Sequence, residues 1–171
     1  MSFQQKQKIS GVHDFDIWGL SWCQGNICTG SLDATVAYYD INAGKSLFRS
    51  SAEIVGVTSV VTLQDGSTAV ACYQDSRIRF FDLFNQKETH CIDPGIMEAY
   101  GLSLSPGEDV LVSGNAKGNV TVWSMQPGHE KVASLHTESK QILTTAFSVD
   151  GKLATGGMDG TVNIIDVNTQ Q

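Results

Sequence analysis

The chain has 171 residues, 41% of them hydrophobic, and eleven Lys and Arg against eighteen Asp and Glu give a formal charge of −7. That is enough apolar content for a buried core, and an acidic balance with no basic block argues against the clustered cationic footprint of a nucleic-acid surface. The polar start MSFQQKQKIS lacks the apolar centre of a signal peptide, and no apolar run approaches the roughly 18 residues of a membrane span, so a soluble, intracellular chain is expected.

In chain order, residues 3–10 form a short polar segment before the first strand pattern. A first unit, about 13–50, has strand-like runs at about 17–22 and 27–31, a turn and third strand in TGSLDATVAYYDI (29–41), and an outer strand KSLFRS (45–50). A second unit, about 54–92, repeats the order with runs at 57–63 and 68–73, then ACYQDSRIRFFDL (71–83) and ETHCI (88–92). The third, about 96–136, has 99–105, 110–115, SGNAKGNVTVWSM (113–125) and EKVASLH (130–136). The fourth, about 138–171, has 142–148, 153–157 and GGMDGTVNIIDV (156–167), and the tail NTQQ closes it before any outer strand. Gly, Pro, Asn and Asp punctuate the runs, as in QGN (24–26), QDGS (64–67), SPGED (105–109) and VDG (149–151). Asp-Gly between two β-rich runs predicts a hairpin in which Gly supplies a positive φ.

The register is strict. Asp33, Asp75, Lys117 and Asp159 are spaced by 42 residues; three positions on stand Val36, Ile78, Val120 and Val162, and six positions on Tyr39, Phe81, Trp123 and Ile165. A period near 42, four strands per unit and an aromatic-Asp close are the mark of a WD-repeat propeller blade. The expected fold class is therefore all-β, a WD-repeat β-propeller with four blades present, in which each unit buries its faces against its neighbours. Residues 3–10 could lend the missing outer strand and close a ring.

In WD-repeat proteins a His before the first strand, a Ser or Thr in the second, the turn Asp and a Trp in the third form a hydrogen-bonded lock. The resemblance carries that role to His13, Thr29, Asp33 and Tyr39 in the first unit, Asp75 in the second, Ser113 and Trp123 in the third, and Thr155 and Asp159 in the fourth. No unit has the full set: Tyr39 stands where Trp is usual and Lys117 replaces the Asp.

Paired carboxylates invite an acid/base reading. Yet Asp33, Asp75 and Asp159 recur at one structural position and Asp40, Asp82 and Asp166 at another, which is what turn and strand-end roles predict. No Ser-His-Asp order, phosphate loop or nucleotide fingerprint is present. His90, His129 and His136 have no visible partners. Cys23, Cys28, Cys72 and Cys91 are scattered without metal-ligand spacing, and Cys28 and Cys72 fall in inner strands as small hydrophobes, so no catalytic residue, metal or cofactor is expected. Trp18 and Tyr100 begin the first strands of units one and three, at the rim of a central channel. There they either anchor a partner's side chain or pack between blades.

The ordered set HDFDIWGLSW, TGSLDATV, CYQDSRIRFFDL, EAYGLSLSPGEDVLVSGNAKGNVTVW and ILTTAFSVDGKLATGGMDGTVNIIDV resembles, from about His13 to Val167, the N-terminal four blades of the superkiller-complex WD-repeat subunits. Animal members of that family are also found in the polymerase-associated factor complex. The resemblance implies a non-enzymatic scaffold in exosome-linked 3′-to-5′ mRNA decay, or in transcription elongation and histone modification, in nucleus and cytoplasm. Implied partners are a helicase and a helical-repeat scaffold, or polymerase-associated factor subunits, with no direct nucleic-acid or membrane contact. Partner peptides would dock at the channel mouth, at Asp16, Trp18 and Tyr100. A WD-repeat adaptor of another assembly, such as a ubiquitin ligase or chromatin modifier, is the alternative. That family has seven blades, so this chain is expected to be a truncated product, a ring of four closed by residues 3–10, or one of two chains that complete each other.

Overall fold

A computed structural model describes residues 3–97 and 99–167. Among the described residues are four antiparallel sheets. The first holds β1 (Ile17–Cys23), β2 (Asn26–Ser31), β3 (Val36–Asp40) and β4 (Lys45–Arg49); the second β5 (Val57–Thr62), β6 (Thr68–Tyr73), β7 (Ile78–Asp82) and β8 (Lys87–Ile92). The third holds β9 (Gly101–Leu104), β10 (Val110–Gly114), β11 (Asn119–Ser124) and β12 (Lys131–His136); the fourth has β13 (Ile142–Phe147), β14 (Lys152–Gly157) and β15 (Val162–Asp166). Each sheet is a meander in chain order, because every connection is a short turn joining antiparallel neighbours. No helix of the described residues is long and apolar enough to cross a membrane.

The turn between second and third strands differs in detail from the one that Asp-Gly suggests. A two-residue type I′ turn needs positive φ at both centres. Here only Ala34, Ser76, Gly118 and Gly160 are positive, at 67°, 71°, 78° and 78°. In the first unit the Ala34 amide donates to the Ser31 carbonyl (3.1 Å) and the Ser31 amide to Thr35 (3.2 Å), so the loop has three residues and ends in a left-handed one. Asp33 holds that turn through its side chain, as Asp75 does in the second unit, which is how Ala34 and Ser76 tolerate a conformation that usually selects glycine.

Three apolar clusters fill the seams between consecutive sheets. Val36, Tyr38 and Phe48 meet Val57, Val60 and Phe81; Val70, Ile78 and Phe80 meet Leu102, Leu111 and Trp123; Val112, Val120 and Val122 meet Ile142 and Leu153. Backbones approach closely there: a Cβ on Gly30 would lie 2.4 Å from Val57, and one on Gly114 would lie 2.3 Å from Ile142. The inner strands pack in series, β1 on β5, β5 on β9 and β9 on β13. Among the described residues the sheets form an arc of four blades with no sheet packed on its first and last faces, where Leu20 and Trp22 on one and Val162 and Ile164 on the other are exposed.

Residues 3–10 carry no strand in this structure. They run over the bare face of the first blade, where the Gln7 amide reaches the Ile41 carbonyl at 3.4 Å. The fourth sheet has three strands, and the tail 168–171, expected to end before an outer strand, lies outside the described residues.

Candidate functional site

The first blade's lock is assembled from the segment before β1, the end of β2 and the following turn. His13 and Asp33 side chains are 1% and 5% exposed. The His13 Nδ1 faces the Asp33 carboxylate at 3.0 Å and the Thr35 hydroxyl at 3.1 Å, while Nε2 shares a 2.8 Å hydrogen bond with Thr29. Asp33 also accepts from the Asp14 and Thr35 amides (both 2.9 Å), the Thr35 hydroxyl (2.6 Å) and Arg49 (3.1 Å). Burial disfavours its charge, but the hydrogen bonds from Thr35 and Asp14, with His13 beside it, outweigh that and hold its pKa at about 2. Tyr39 lines instead the bare-face groove beneath residues 4–9, with Trp22, Ile27 and Ile41.

The other blades reach the same end by different chemistry. In the second, the positions of His13, Thr29 and Tyr39 are taken by Val55, Ala71 and Phe81, and the latter two are buried in the seam. Asp75 holds the turn, accepting from the Arg77 amide at 3.1 Å, and lies 3.9 Å from the Arg77 guanidinium. In the third, the Trp123 indole donates to Ser113 at 2.9 Å, and the acceptor lost at Lys117 is replaced two residues earlier. The fully buried Asn115 accepts from the Lys117 and Asn119 amides at 2.9 and 2.8 Å. In the fourth, Ser139 occupies the His13 position and shares a 2.5 Å hydrogen bond with Thr161, whose hydroxyl donates to Asp159 (2.6 Å). Asn163 joins Ser139 to the buried Thr155. The reading of the sequence missed Asn115 and Ser139; a buried-strand Asn just before the turn, and a Ser at the repeat position of a His, were the available signals.

The inner strands of the first, second and fourth sheets pair with their neighbours through a shifted register at their start, and β9 begins at the equivalent Gly101. Gly19, Ser59, Gly101 and Thr144 pair with Gly30, Cys72, Gly114 and Gly156, so the preceding residues, Trp18, Thr58, Tyr100 and Leu143, form one structural row. Bulges of this kind re-aim a side chain at a sheet rim. Trp18 and Leu143 are about half exposed, Tyr100 is half-buried and Thr58 is buried. Thr58 bridges two blades, its hydroxyl within reach of the Cys72 and Tyr100 carbonyls at 3.1 and 2.7 Å. Asp16 is exposed just before β1, and its carbonyl accepts from the Leu32 amide. The row thus brings Trp18 and Tyr100 to equivalent places on blades one and three, with Leu143 as a third apolar member that the sequence did not single out.

The histidines outside the lock do have partners. His129 stacks on Phe80 at 4.0 Å and lies 4.8 Å from His90, and desolvation lowers its pKa; His136 meets the Asn119 side chain at 2.7 Å. Their partners come from other strands, two of them from another repeat, which strand patterns do not reveal. Burial pushes the Cys28 and Cys72 thiols up to about 12, while Cys91 is exposed. Among the described residues no three His, Cys, Asp or Glu side chains group as a metal site.

Residues 127–166 match the WD40 family, described as WD domain, G-beta repeat. The chain is similar to WD repeat-containing protein VIP3 of Arabidopsis thaliana, with 25% identity over 182 residues, 95% of this chain and 57% of the relative. It is also similar to WD repeat-containing protein SL1-17 of Schistosoma mansoni, with 30% identity over 167 residues, 92% of this chain and 55% of the relative. The chain therefore spans a little over half the length of these relatives. Among solved structures it resembles the crystal structure of the computationally designed Ika4 protein, with a TM-score of 0.78 and 21% identity over 97% of this chain and 99% of that one. That likeness concerns the fold alone. It makes this an all-β β-propeller arrangement of four blades, with the WD40 repeat match over residues 127–166.

Proposed function

We propose that this WD-repeat protein is a non-enzymatic interaction scaffold, a subunit of the superkiller complex, of the polymerase-associated factor complex, or of both. The observation that carries the scaffold reading is the row of Trp18, Tyr100 and Leu143 at equivalent places before the paired inner strands, with Asp16 beside Trp18. Interface hot spots favour Trp and Tyr, and a platform fixed in advance loses little conformational freedom on binding. Extended segments of larger subunits would seat apolar side chains against the row, with polar groups at its edge. The carboxylates support this division of labour, since Asp33, Asp75 and Asp159 all accept turn amides. The choice of complex rests on the ordered resemblance of the repeats, and it carries with it residence in both nucleus and cytoplasm.

Affinity purification of the chain from its own cells, with mass spectrometry of what is retained, tests the reading. Recovery of the superkiller helicase and its helical-repeat scaffold, or of polymerase-associated factor subunits, is expected, with retention lost in Trp18→Ala and Tyr100→Ala. Unchanged retention in both variants would remove the row as the docking site. Recovery of ubiquitin-ligase or chromatin-modifying subunits instead would make the chain an adaptor of that assembly.

A further inference from the structure

The second and third blades each have a sheet packed on both sides, yet the junction between them differs from its neighbours at one place. In the first three blades one residue of the outer strand falls opposite an apolar residue of the third strand: Phe48 opposite Tyr38, His90 opposite Phe80 and Ala133 opposite Val122. Phe48 is 6% exposed in the first junction and Ala133 packs into the third, so of the three only the second junction puts a titratable ring here.

A second histidine reaches the same place from the other blade. Tyr39 pairs with Ser46 and Phe81 with Glu88, whereas Trp123 pairs with Lys131, which makes the turn before the outer strand one residue longer in the third blade. His129 stands in that turn with a φ of 46°, its amide donating to the Gln126 carbonyl at 3.0 Å. Its ring stacks on Phe80 with centroids 4.0 Å apart and lies 4.8 Å from the His90 ring, which meets Phe80 edge-on at 5.8 Å. Phe80, flanked by the two imidazoles, is 2% exposed. The His129 Nδ1 faces the Ser124 carbonyl at 3.3 Å, an acceptor, so Nδ1 carries the hydrogen and Nε2 is free to take a further proton.

Nothing nearby balances a charge gained there. Among the described residues neither ring is ion-paired with a carboxylate. On β7 and β8, Arg79 and Glu88 bind each other at 3.0 Å, Asp82 accepts from Asn85 at 2.7 Å with Lys87 beside it, and Cys91 is exposed. Between β8 and β9, Asp93 meets Arg77. In the turn before β10, Glu108 accepts from the Gln64 amide and Asp109 from Ser105, both at 2.6 Å; Glu130 and Lys131, next to His129 in the chain, are exposed. Burial and the neighbouring His90 lower the His129 pKa against the pull of the Ser124 carbonyl.

From this we infer that His90 and His129 form an acid-sensitive latch on the junction of the second and third blades. Neutral, the two rings close its outer end around Phe80; proton uptake drives them apart and opens it. Because the His129 pKa lies below its ordinary 6.5 in the folded chain, its contribution is complete above that value and is lost as the pH falls below it. One extra proton taken up on opening raises the opening equilibrium by up to about tenfold for each pH unit below that point.

Trp123, 6% exposed in the same apolar cluster, reports the opening. In a chain carrying Trp18→Phe and Trp22→Phe, both exposed positions, it is the remaining tryptophan. Iodide quenching of its emission is expected to rise as the pH falls from about 7.5 to about 5, and the folded-to-unfolded ratio in urea to fall about tenfold or more beyond that of a chain without the pair. That chain carries His90→Phe with His129→Phe, which keeps aromatic packing on Phe80. A second comparison, His90→Gln with His129→Gln, is uncharged and adds no apolar bulk. His13 and His136 are common to all three chains, so the difference between profiles isolates the pair. Acid opening that persists in both double variants, a native profile that follows theirs throughout, or a native chain that gains stability relative to them in acid would overturn the inference.

Discussion

Replacing Asp33 with Ala strikes the most connected group of the first blade. The substitution removes the acceptor of the Asp14 and Thr35 amides, the Thr35 hydroxyl, His13 and Arg49. Asp14 is exposed and the Arg49 side chain is 39% exposed, so water replaces the carboxylate for them. Thr35 is buried, and its amide and hydroxyl both lose their acceptor, while Nδ1 of the 1% exposed His13 ring keeps only the Thr35 oxygen at 3.1 Å. At about 1–2 kcal/mol for each buried orphan, the variant loses about 3 kcal/mol of stability. For a chain of this length that lowers the melting temperature by about 6–12 °C. The assay is urea unfolding of native and variant chains across a pH series. In the folded chain the Asp33 pKa is depressed from 3.8 to about 2. Its contribution is therefore complete above the unfolded value and fades as the pH falls through about 2, so the difference between native and variant shrinks in acid. A loss below about 0.5 kcal/mol at neutral pH, the size of an ordinary surface substitution, would refute the lock. So would a difference that stays constant down to pH about 2.

In the third blade Asn115→Ala costs about 2–3 kcal/mol by orphaning the Lys117 and Asn119 amides, whereas Lys117→Ala changes urea stability by less than about 0.5 kcal/mol. Gly114→Ala forces a methyl to within 2.3 Å of Ile142 and destabilises by about 1–3 kcal/mol, with limited proteolysis first cutting the junction of the third and fourth blades. Iodoacetamide at mildly alkaline pH modifies exposed Cys91 in the folded chain, while Cys28 and Cys72, buried and held near a pKa of 12, react only after denaturation; intact-mass spectrometry reads the order.

The lock was partly legible in the sequence. His13, Thr29 and Asp33 do assemble, because their spacing places them on adjacent strand ends that a hairpin must bring together. Tyr39 does not follow the position it occupies: no sheet packs on that side of its blade among the described residues, so its ring lines an open groove, whereas Trp123 is enclosed and bonds Ser113. Asn115 and Ser139 were hidden because a hydrogen-bonded group is defined by where oxygen and nitrogen atoms meet. A residue two places away, or of another type, can put an acceptor at the same point.

The sequence by itself determined the repeat, the order of the strands, the turn positions and the seams, since each follows from alternation of apolar residues and from turn chemistry acting over a few residues. The tertiary structure alone decided the fate of each face. Leu20 and Leu102 are the same residue at the same place in the repeat, one exposed and one buried. Burial is conferred by the neighbouring blade, and a periodic pattern describes a unit without saying whether a neighbour is there.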